Sequence, residues 1–309
     1  MFGSHLSIAG SMANALREAE TLGLECVQVF TKNQQQWSAP PLKADTIREW
    51  AETIARLKWA GDDRRVVSHA SYLINMASPD AALRAKSIDL MREEIDRCEA
   101  LAIRLLVFHP GAFTTSTLEE GVSRIADACA SLLHATKGYR TVLCLENVAG
   151  AGSTIGRTFE ELADLRSRIA SAAPGHAARI GFCIDTCHAH AAGYDLSTPA
   201  SATAALAALD RAAGLANVRV LHLNDSKGKS GSHLDRHEHI AKGTIGRAGF
   251  AAFVQHAGLA GLPKIMETPK GDDANGKPWD LANVALLRRL ARAAPVPVAR
   301  RRPSPTRAA

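Results

Sequence analysis

The sequence has no apolar stretch of about 18 residues, the length at which a helix can span a bilayer. It also has no CxxC pair. Its six cysteines are dispersed, and Cys26, Cys144 and Cys183 lie inside short apolar runs. Such cysteines are typical of reduced, buried thiols in an intracellular protein. The first predicted strand begins almost at Met1, so we expect a cytoplasmic protein with neither a membrane span nor a signal peptide.

The chain also lacks a strong excess of either charge. Lys and Arg number 37 against 31 Asp and Glu, which gives a formal net charge of +6. Four of the positive charges lie close together near the C-terminus, at Arg300, Arg301, Arg302 and Arg307. Basicity is therefore weak evidence for a nucleic-acid partner.

No segment resembles a linker between domains. Apolar residues make up 46 % of the chain and charged residues 22 %, the composition of a globular protein with a full core. We therefore predict one domain over residues 1–294. The Pro- and Arg-rich tail over residues 295–309 is expected to be disordered.

Short apolar runs that end in His, Asp or Glu recur along the chain. One run covers residues 181–184 and ends at Asp185, and His188 follows three residues later. Five more runs end in the same way, at His69, His109, Glu146, His222 and Glu267. Successive ends lie 37 to 45 residues apart, about the length of one strand and one crossover helix. The spacing is typical of a repeated β-α unit.

This period predicts a single-domain α/β protein, a (β/α)8 TIM barrel. The predicted strands cover residues 2–7, 26–30, 65–69, 105–109, 142–146, 181–185, 218–222 and 264–267. The predicted helices cover residues 12–22, 45–58, 79–100, 118–135, 158–170, 200–213, 249–256 and 279–292. In such a barrel the C-terminal ends of the strands converge on one face, so residues far apart in sequence meet there.

The residue types at these ends suit zinc, which binds His nitrogen and carboxylate oxygen. Asp235 and His237 add two candidates in the long loop over residues 226–246, because a spacing of two places both side chains on one side of an extended chain. One such residue alone would more often be structural, but these recur with the barrel period. The nine candidate ligands are His69, His109, Glu146, Asp185, His188, His222, Asp235, His237 and Glu267. Since one catalytic zinc takes about three protein ligands, nine with one shared carboxylate suit three zinc ions.

Eight segments carry a more specific signal: FTKNQQQW, SHASYLINMASPD, VFHPG, CLENVAGAGS, IGFCIDTCHAHAAGYD, LHLNDSK, GSHLDRHEHI and IMETP. Over residues 2 to about 290 the chain resembles the endonuclease IV family of apurinic/apyrimidinic DNA-repair endonucleases. The resemblance implies a zinc-dependent hydrolase that cleaves double-stranded DNA 5′ to an abasic site, leaving a 3′-hydroxyl and a 5′-deoxyribose phosphate. It also implies trimming of blocked 3′ ends, and we expect a monomer.

The same resemblance implies how the ligands divide, with Glu146 as a bridge between two ions. The first zinc would take His69, His109 and Glu146. The second would take Glu146, Asp185, His222 and Glu267, and the third would take His188, Asp235 and His237, with manganese as an alternative at one site. Glu146, Asp185 and Glu267 are the residues expected to be catalytic.

The expected DNA contacts are Asn33, Gln35, Tyr72, Leu73, Lys227 and Arg236. Tyr72 and Leu73 follow the strand that ends at a candidate ligand, so we expect them to enter the base stack at an abasic site. The alternative is that they cap the barrel core. Two residues depart from the family's usual pattern: Gln35 stands where Arg is common, and Ala241 stands where Gly is usual. The first puts a cationic wedge into the minor groove in doubt, and the second bears on the turn of its loop.

Two other functions fit parts of the pattern. A sugar isomerase or epimerase of a related barrel, with one or two divalent ions, would need only Glu146, Asp185, His222 and Glu267. It would not need His69, His109 or the segment over residues 235–237, which therefore favour the nuclease. A lesion-binding protein without turnover would need a missing ligand, and none of the nine is missing.

Overall fold

The computed structural model describes residues 1–293, which form a closed barrel of eight parallel strands. In chain order the strands are β1 (Phe2–His5), β2 (Cys26–Val29), β3 (Val66–His69), β4 (Leu105–Phe108), β5 (Val142–Glu146), β6 (Ile180–Asp185), β7 (Val218–His222), β8 (Asp225–Ser226), β9 (His237–Glu238) and β10 (Lys264–Met266). Strands β1–β7 and β10 form the barrel, and β8 pairs with β9 in a short antiparallel ribbon. The ring closes where β1 pairs with β10, with Ser4 opposite Met266. The predicted (β/α)8 barrel is confirmed.

Helices cover the outside of the barrel, apart from α6 (Thr186–Ala192), which lies at its mouth. They are α1 (Met12–Thr21), α2 (Ala44–Arg56), α3 (Ala81–Ala100), α4 (Leu118–Ala135), α5 (Phe159–Ala172), α6 (Thr186–Ala192), α7 (Pro199–Ala213), α8 (Gly246–Gln255) and α9 (Trp279–Arg292). Side chains that accept hydrogen bonds from the first free N–H groups fix several starts. At α4, for example, the Thr117 hydroxyl accepts from the Glu120 N–H while the Glu120 carboxylate accepts from the Thr117 N–H.

The barrel interior is filled by small and β-branched side chains, among them Cys26, Val107, Cys144 and Val220. Larger apolar side chains pack between the strands and the helices. Because the interior is filled, polar groups at the strand ends face the mouth of the barrel rather than a central pore. All six cysteines are buried and free within residues 1–293, as expected.

Two elements at the mouth differ from the sequence prediction. Helix α6 begins directly after β6, because the Asp185 carboxylate accepts a hydrogen bond from the His188 N–H at 2.9 Å and so caps the helix. The predicted loop over residues 226–246 is not irregular throughout, since it contains the paired strands β8 and β9.

The predicted tail over residues 295–309 lies outside the described residues. Among residues 1–293, no helix combines the length and the apolar character that crossing a bilayer requires.

Candidate metal centre

The nine candidate ligands gather at one rim of the barrel. His69, Glu146, Asp185 and His222 are the last residues of β3, β5, β6 and β7. The remaining five follow strands or lie in the mouth elements: His109 after β4, Glu267 after β10, His188 in α6, His237 in β9 and Asp235 just before it. The regular β-α repeat thus brings together residues up to 198 positions apart in the chain.

Glu146 lies at the centre of the group and is wholly buried. Its Oε2 atom is 3.1 Å from His69 Nε2 and 3.2 Å from His109 Nε2. Its Oε1 atom is 2.8 Å from His222 Nδ1 and 3.5 Å from His188 Nδ1. One carboxylate therefore faces two separate sets of imidazoles, one with each oxygen, as a bridging ligand would.

A second group of ligand atoms surrounds His222. Its Nδ1 atom is 3.2 Å from Glu267 Oε2 and 3.9 Å from Asp185 Oδ2, in addition to its contact with Glu146. One ligand atom from each of these four residues lies within 4.8 Å of the others, a spacing that a single cation can bridge.

A third group forms where α6 meets β9. Asp235 Oδ1 is 3.3 Å from His188 Nε2 and 3.4 Å from His237 Nε2, and Asp185 Oδ2 is 3.7 Å from His237 Nε2. The Nε2 atom of His237 is buried and has no hydrogen-bond partner within residues 1–293. Leaving such a nitrogen unpaired costs about 1–3 kcal/mol. A metal ion bound there would use its lone pair, so this group fits a cation.

Backbone carbonyl groups fix the tautomers of three of the imidazoles. The pairs are His69 Nδ1 with Ala70 O at 2.7 Å, His188 Nδ1 with Asn147 O at 2.8 Å, and His237 Nδ1 with Glu267 O at 3.1 Å. A carbonyl oxygen only accepts, so each Nδ1 must carry a proton. In the neutral ring the Nε2 atom then presents its lone pair to the carboxylate cluster, the orientation that metal ligation requires.

The buried carboxylates draw positive charge to the rim. Burial raises the pKa of Glu146, but His222 and His109 outweigh burial and hold that pKa well below its ordinary value of 4.5. Burial lowers the pKa of His188, but Asp185 and its acidic neighbours outweigh burial and raise that pKa to about 10. Without a cation, the carboxylates are balanced by protonated imidazoles. A divalent cation would meet the same demand with the imidazoles neutral.

Comparison with known proteins decides the family. A family model described as xylose isomerase-like TIM barrel matches residues 16–290. A protein of Chloroflexus aggregans named "Probable endonuclease 4" is 44 % identical over 291 residues, which cover 94 % of this chain and 98 % of that protein. A protein of the same name from Geobacter sulfurreducens is 40 % identical over 291 residues, 94 % of each chain. This chain belongs to the endonuclease IV family.

Solved structures agree with this membership. The crystal structure of endonuclease IV from Thermus thermophilus is 33 % identical, covers 94 % of this chain and 98 % of that one, and has a TM-score of 0.79. A D-tagatose 3-epimerase-like protein has a TM-score of 0.67 at 18 % identity, with 94 % of this chain and 96 % of that chain covered. That likeness shows a shared fold alone.

In this endonuclease IV family member, two further residues lie at the rim that the sequence analysis did not predict there. His5 ends β1, and its Nδ1 atom is 3.4 Å from Glu267 Oε1. Gln28 lies within β2, is wholly buried, and donates a hydrogen bond from Nε2 to Glu267 Oε1 at 2.6 Å. The strand-end rule would have found His5. Gln28 carried a weaker signal, as the polar residue in an apolar run.

Two asparagines hold the rim backbone in place. Asn147 donates from Nδ2 to the Asp185 carbonyl at 3.1 Å and accepts from the Asp185 N–H at 2.7 Å. Asn224 donates to Asp185 Oδ2 at 2.6 Å and accepts from the Glu267 N–H at 2.7 Å. Side-chain amides therefore hold the backbone of both Asp185 and Glu267, and one of them also holds the Asp185 carboxylate.

Tyr72 and Leu73 have different surroundings. Tyr72 is 57 % exposed, and its ring centroid lies 5.1 Å from that of His69 and 5.6 Å from that of His109. Leu73 is half-buried and packs against the core. The tyrosine ring thus lies beside the ligand cluster and is exposed to solvent, while the leucine attaches the same loop to the core.

The other expected DNA contacts lie on two mouth loops. Gln35 is exposed, and its N–H donates to Asn33 Oδ1 at 2.9 Å, so the Asn33 side chain also shapes its own turn. Lys227 is exposed, with its Nζ atom 3.9 Å from Glu238 Oε2. Arg236 is exposed and donates to the Asp235 carbonyl at 3.0 Å.

Ala241 adopts a φ of +61°. This is the left-handed region, where a Cβ atom is unfavourable and glycine is preferred. The turn therefore carries backbone strain at this residue.

Proposed function

We propose that this protein is a DNA-repair endonuclease that hydrolyses the phosphodiester 5′ to an abasic site in double-stranded DNA. The products would be a 3′-hydroxyl and a 5′-deoxyribose phosphate, and the same site would trim blocked 3′ ends. We further propose that it acts as a monomer inside the cell. The observation that carries the proposal is the convergence of the nine candidate ligands around Glu146 at the barrel mouth, in a chain 44 % identical to a protein named "Probable endonuclease 4".

Three zinc ions are the cofactors that we propose, with manganese as an alternative at one site. The first would be held by His69, His109 and Glu146, the second by Glu146, Asp185, His222 and Glu267, and the third by His188, Asp235 and His237. The support is the close spacing of these ligand atoms and the buried His237 Nε2 atom, which has no hydrogen-bond partner among residues 1–293. When bound, zinc supplies a Lewis acid that neutralises phosphoryl charge and makes water acidic enough to attack near neutral pH.

The chain's own residues would fix where that chemistry occurs. Glu146, Asp185 and Glu267 are proposed as the catalytic carboxylates, because each projects into the cluster from a different strand end. Glu146 faces both sets of imidazoles, so its negative charge would reduce the repulsion between cations held by the two sets. The filled barrel interior leaves the substrate phosphate access from the mouth alone.

Recognition of the lesion would come from the loops around the mouth. We propose that Tyr72, with the half-buried Leu73 beside it, fills the space that an abasic nucleotide vacates. Stacking of an aromatic ring on a base is worth roughly 1–3 kcal/mol, and rotating out a nucleotide without a base is cheaper than flipping an intact one. Asn33, Gln35, Lys227 and Arg236 would contact the DNA backbone.

The decisive experiment uses a duplex that contains one tetrahydrofuran abasic analogue. We expect the purified protein to cut directly 5′ to the analogue and to contain close to three zinc ions per chain by mass spectrometry. We expect EDTA treatment to abolish cutting and added zinc to restore it. Cutting at full rate by the metal-free protein would contradict the proposal, and one or two ions without cutting would favour the isomerase.

Substitution of the bridging carboxylate tests the assignment within the cluster. Glu146→Gln keeps the side-chain shape but removes the charge, so cleavage should fall by orders of magnitude while abasic DNA still binds. The matched control is Glu52→Gln, the same change at an exposed position of α2. Turnover near wild type in Glu146→Gln would show that the bridge is misassigned.

A further inference from the structure

Gln28 sits beneath the carboxylate cluster with every polar atom of its amide in use. Its Oε1 atom is 2.8 Å from His222 Nε2. Its Nε2 atom is 2.6 Å from Glu267 Oε1 and 3.0 Å from His5 Nδ1. The side chain is wholly buried in β2, where an unpaired amide would be costly.

The carboxylate of Glu267 determines which way this amide points. If the amide were turned over, Gln28 Oε1 would face Glu267 Oε1 at hydrogen-bond distance, and two oxygens without a proton between them repel. The NH2 group must therefore face Glu267, and the amide oxygen must face His222. An amide oxygen only accepts, so the His222 Nε2 atom carries a proton.

A proton on Nε2 leaves the Nδ1 lone pair of neutral His222 facing acidic oxygens. Those oxygens are Glu146 Oε1 at 2.8 Å, Glu267 Oε2 at 3.2 Å and Asp185 Oδ2 at 3.9 Å. A lone pair surrounded by carboxylates is repelled unless a cation lies among them. We propose that Gln28 is a positioning residue for the metal centre. Glu267 fixes the direction of the Gln28 amide, and the amide oxygen in turn keeps the proton of His222 on Nε2, so that Nδ1 is left to bind the metal.

The other three constrained imidazoles at this rim are oriented by backbone carbonyls, which no substitution of a side chain can remove. His222 instead depends on a side chain 194 residues away in sequence. Its orientation is therefore open to a direct mutational test. The inference rests on the proposed metal site, and the test below separates the failure of one from the failure of the other.

The test compares zinc-loaded wild type with Gln28→Met and Gln28→Glu. Methionine fills similar space without an acceptor for the His222 Nε2–H. Glutamate keeps an acceptor oxygen at the same reach, and its second oxygen, once protonated, can donate to Glu267 Oε1 as the amide nitrogen does. We expect Gln28→Met to lose one zinc to a chelator at least tenfold faster than wild type, since removing a partner of a metal-ligating His commonly lowers metal affinity 10- to 100-fold.

The second readout is the nitrogen NMR spectrum of the imidazole rings. In wild type and Gln28→Glu we expect His222 to show a protonated Nε2 and a zinc-bound Nδ1. In Gln28→Met we expect this signal to broaden or divide between tautomers, a change that a merely structural role would not produce. The control is Gln255→Met, because Gln255 donates to the Leu290 carbonyl on the outside of the barrel, away from the rim.

Each outcome has a distinct meaning. If wild type holds three zinc ions while Gln28→Met shows unchanged zinc retention and His222 signals, the inference fails and the proposed function stands. If wild type itself holds no zinc, the metal centre fails and the inference fails with it. Should Gln28→Met not fold, loss of the Nε2–H signal in folded Gln28→Glu would still overturn the inference.

Discussion

The Ser71 hydroxyl donates a hydrogen bond to the Gln34 carbonyl at 2.6 Å and accepts one from the Leu73 N–H at 3.2 Å. This one buried side chain therefore joins the loop that carries Tyr72 to the loop that carries Gln35. Two surfaces expected to contact DNA are held at a fixed spacing across the barrel mouth.

We expect Ser71→Ala to uncouple these loops. A hydrogen bond of this kind contributes about 0.5–1.5 kcal/mol, so binding to abasic duplex should weaken by roughly 2- to 12-fold with zinc content unchanged. Fluorescence anisotropy would measure the change. Thr203→Ala removes a hydroxyl-to-carbonyl hydrogen bond on α7 and should leave binding unaltered. Equal affinities for Ser71→Ala and wild type would show that the link does not matter for recognition.

Single substitutions can now separate the roles of Tyr72 and Leu73. Tyr72→Ala should weaken binding at an abasic site by roughly 1–3 kcal/mol and leave the melting temperature near wild type, because the ring is largely exposed. Leu73→Ala should instead lower the melting temperature, because Leu73 packs on the core. The opposite pattern, with Tyr72→Ala unstable but still binding normally, would assign the tyrosine to capping the barrel.

The metal-free protein should show a characteristic pH dependence. Burial lowers the pKa of His188, but Asp185 outweighs burial and the pKa rises from 6.5 to about 10. Protonated His188 therefore stabilises the folded protein fully below pH 6.5, and this stabilisation is lost as pH rises toward 10. The contribution of Glu146 to stability depends on pH in the opposite direction. Its lowered pKa gives stabilisation above pH 4.5 that is lost as pH falls. The melting temperature of the metal-free protein should therefore be highest between about pH 4.5 and 6.5.

Zinc should raise that melting temperature and flatten the alkaline side of the profile, because bound metal replaces protons as the source of positive charge. Scanning calorimetry of chelator-treated and zinc-loaded samples between pH 5 and about pH 9 would measure both effects. A metal-free sample whose melting temperature is constant above pH 6.5 would argue against protonated imidazoles at the rim.

The strain at Ala241 predicts a stabilising substitution. Ala241→Gly should raise the free energy of unfolding by about 1 kcal/mol, because glycine adopts the left-handed conformation without a Cβ penalty. Ala207→Gly on the exposed face of α7 should lower it by a similar amount, since that backbone is helical. Chemical denaturation would measure both. A loss of stability in Ala241→Gly would mean that the Ala241 methyl group makes contacts that outweigh the strain.

The sequence predicted the barrel and the convergence of its strand ends because both follow from a repeat of about 40 residues. Other features lacked such a signal. Helix α6 depends on Asp185 as a cap, and an aspartate whose position suits metal binding gives no separate sign that it also caps a helix. The role of Gln28 depends on His222 at the end of β7 and on Glu267 after β10, and no local pattern in β2 predicts these contacts. The left-handed backbone at Ala241 could not be predicted either, because alanine usually avoids that conformation.

The pairing of β1 with β10 has a consequence for the order of events during synthesis. Ser4 and Met266 lie 262 residues apart, so at about 5–20 residues per second the first strand waits roughly 13 to 50 seconds for its neighbour. Glu267 emerges directly after that last strand. Until then the second proposed ligand set lacks one of its four residues, so that set can be complete only once the barrel has its last strand.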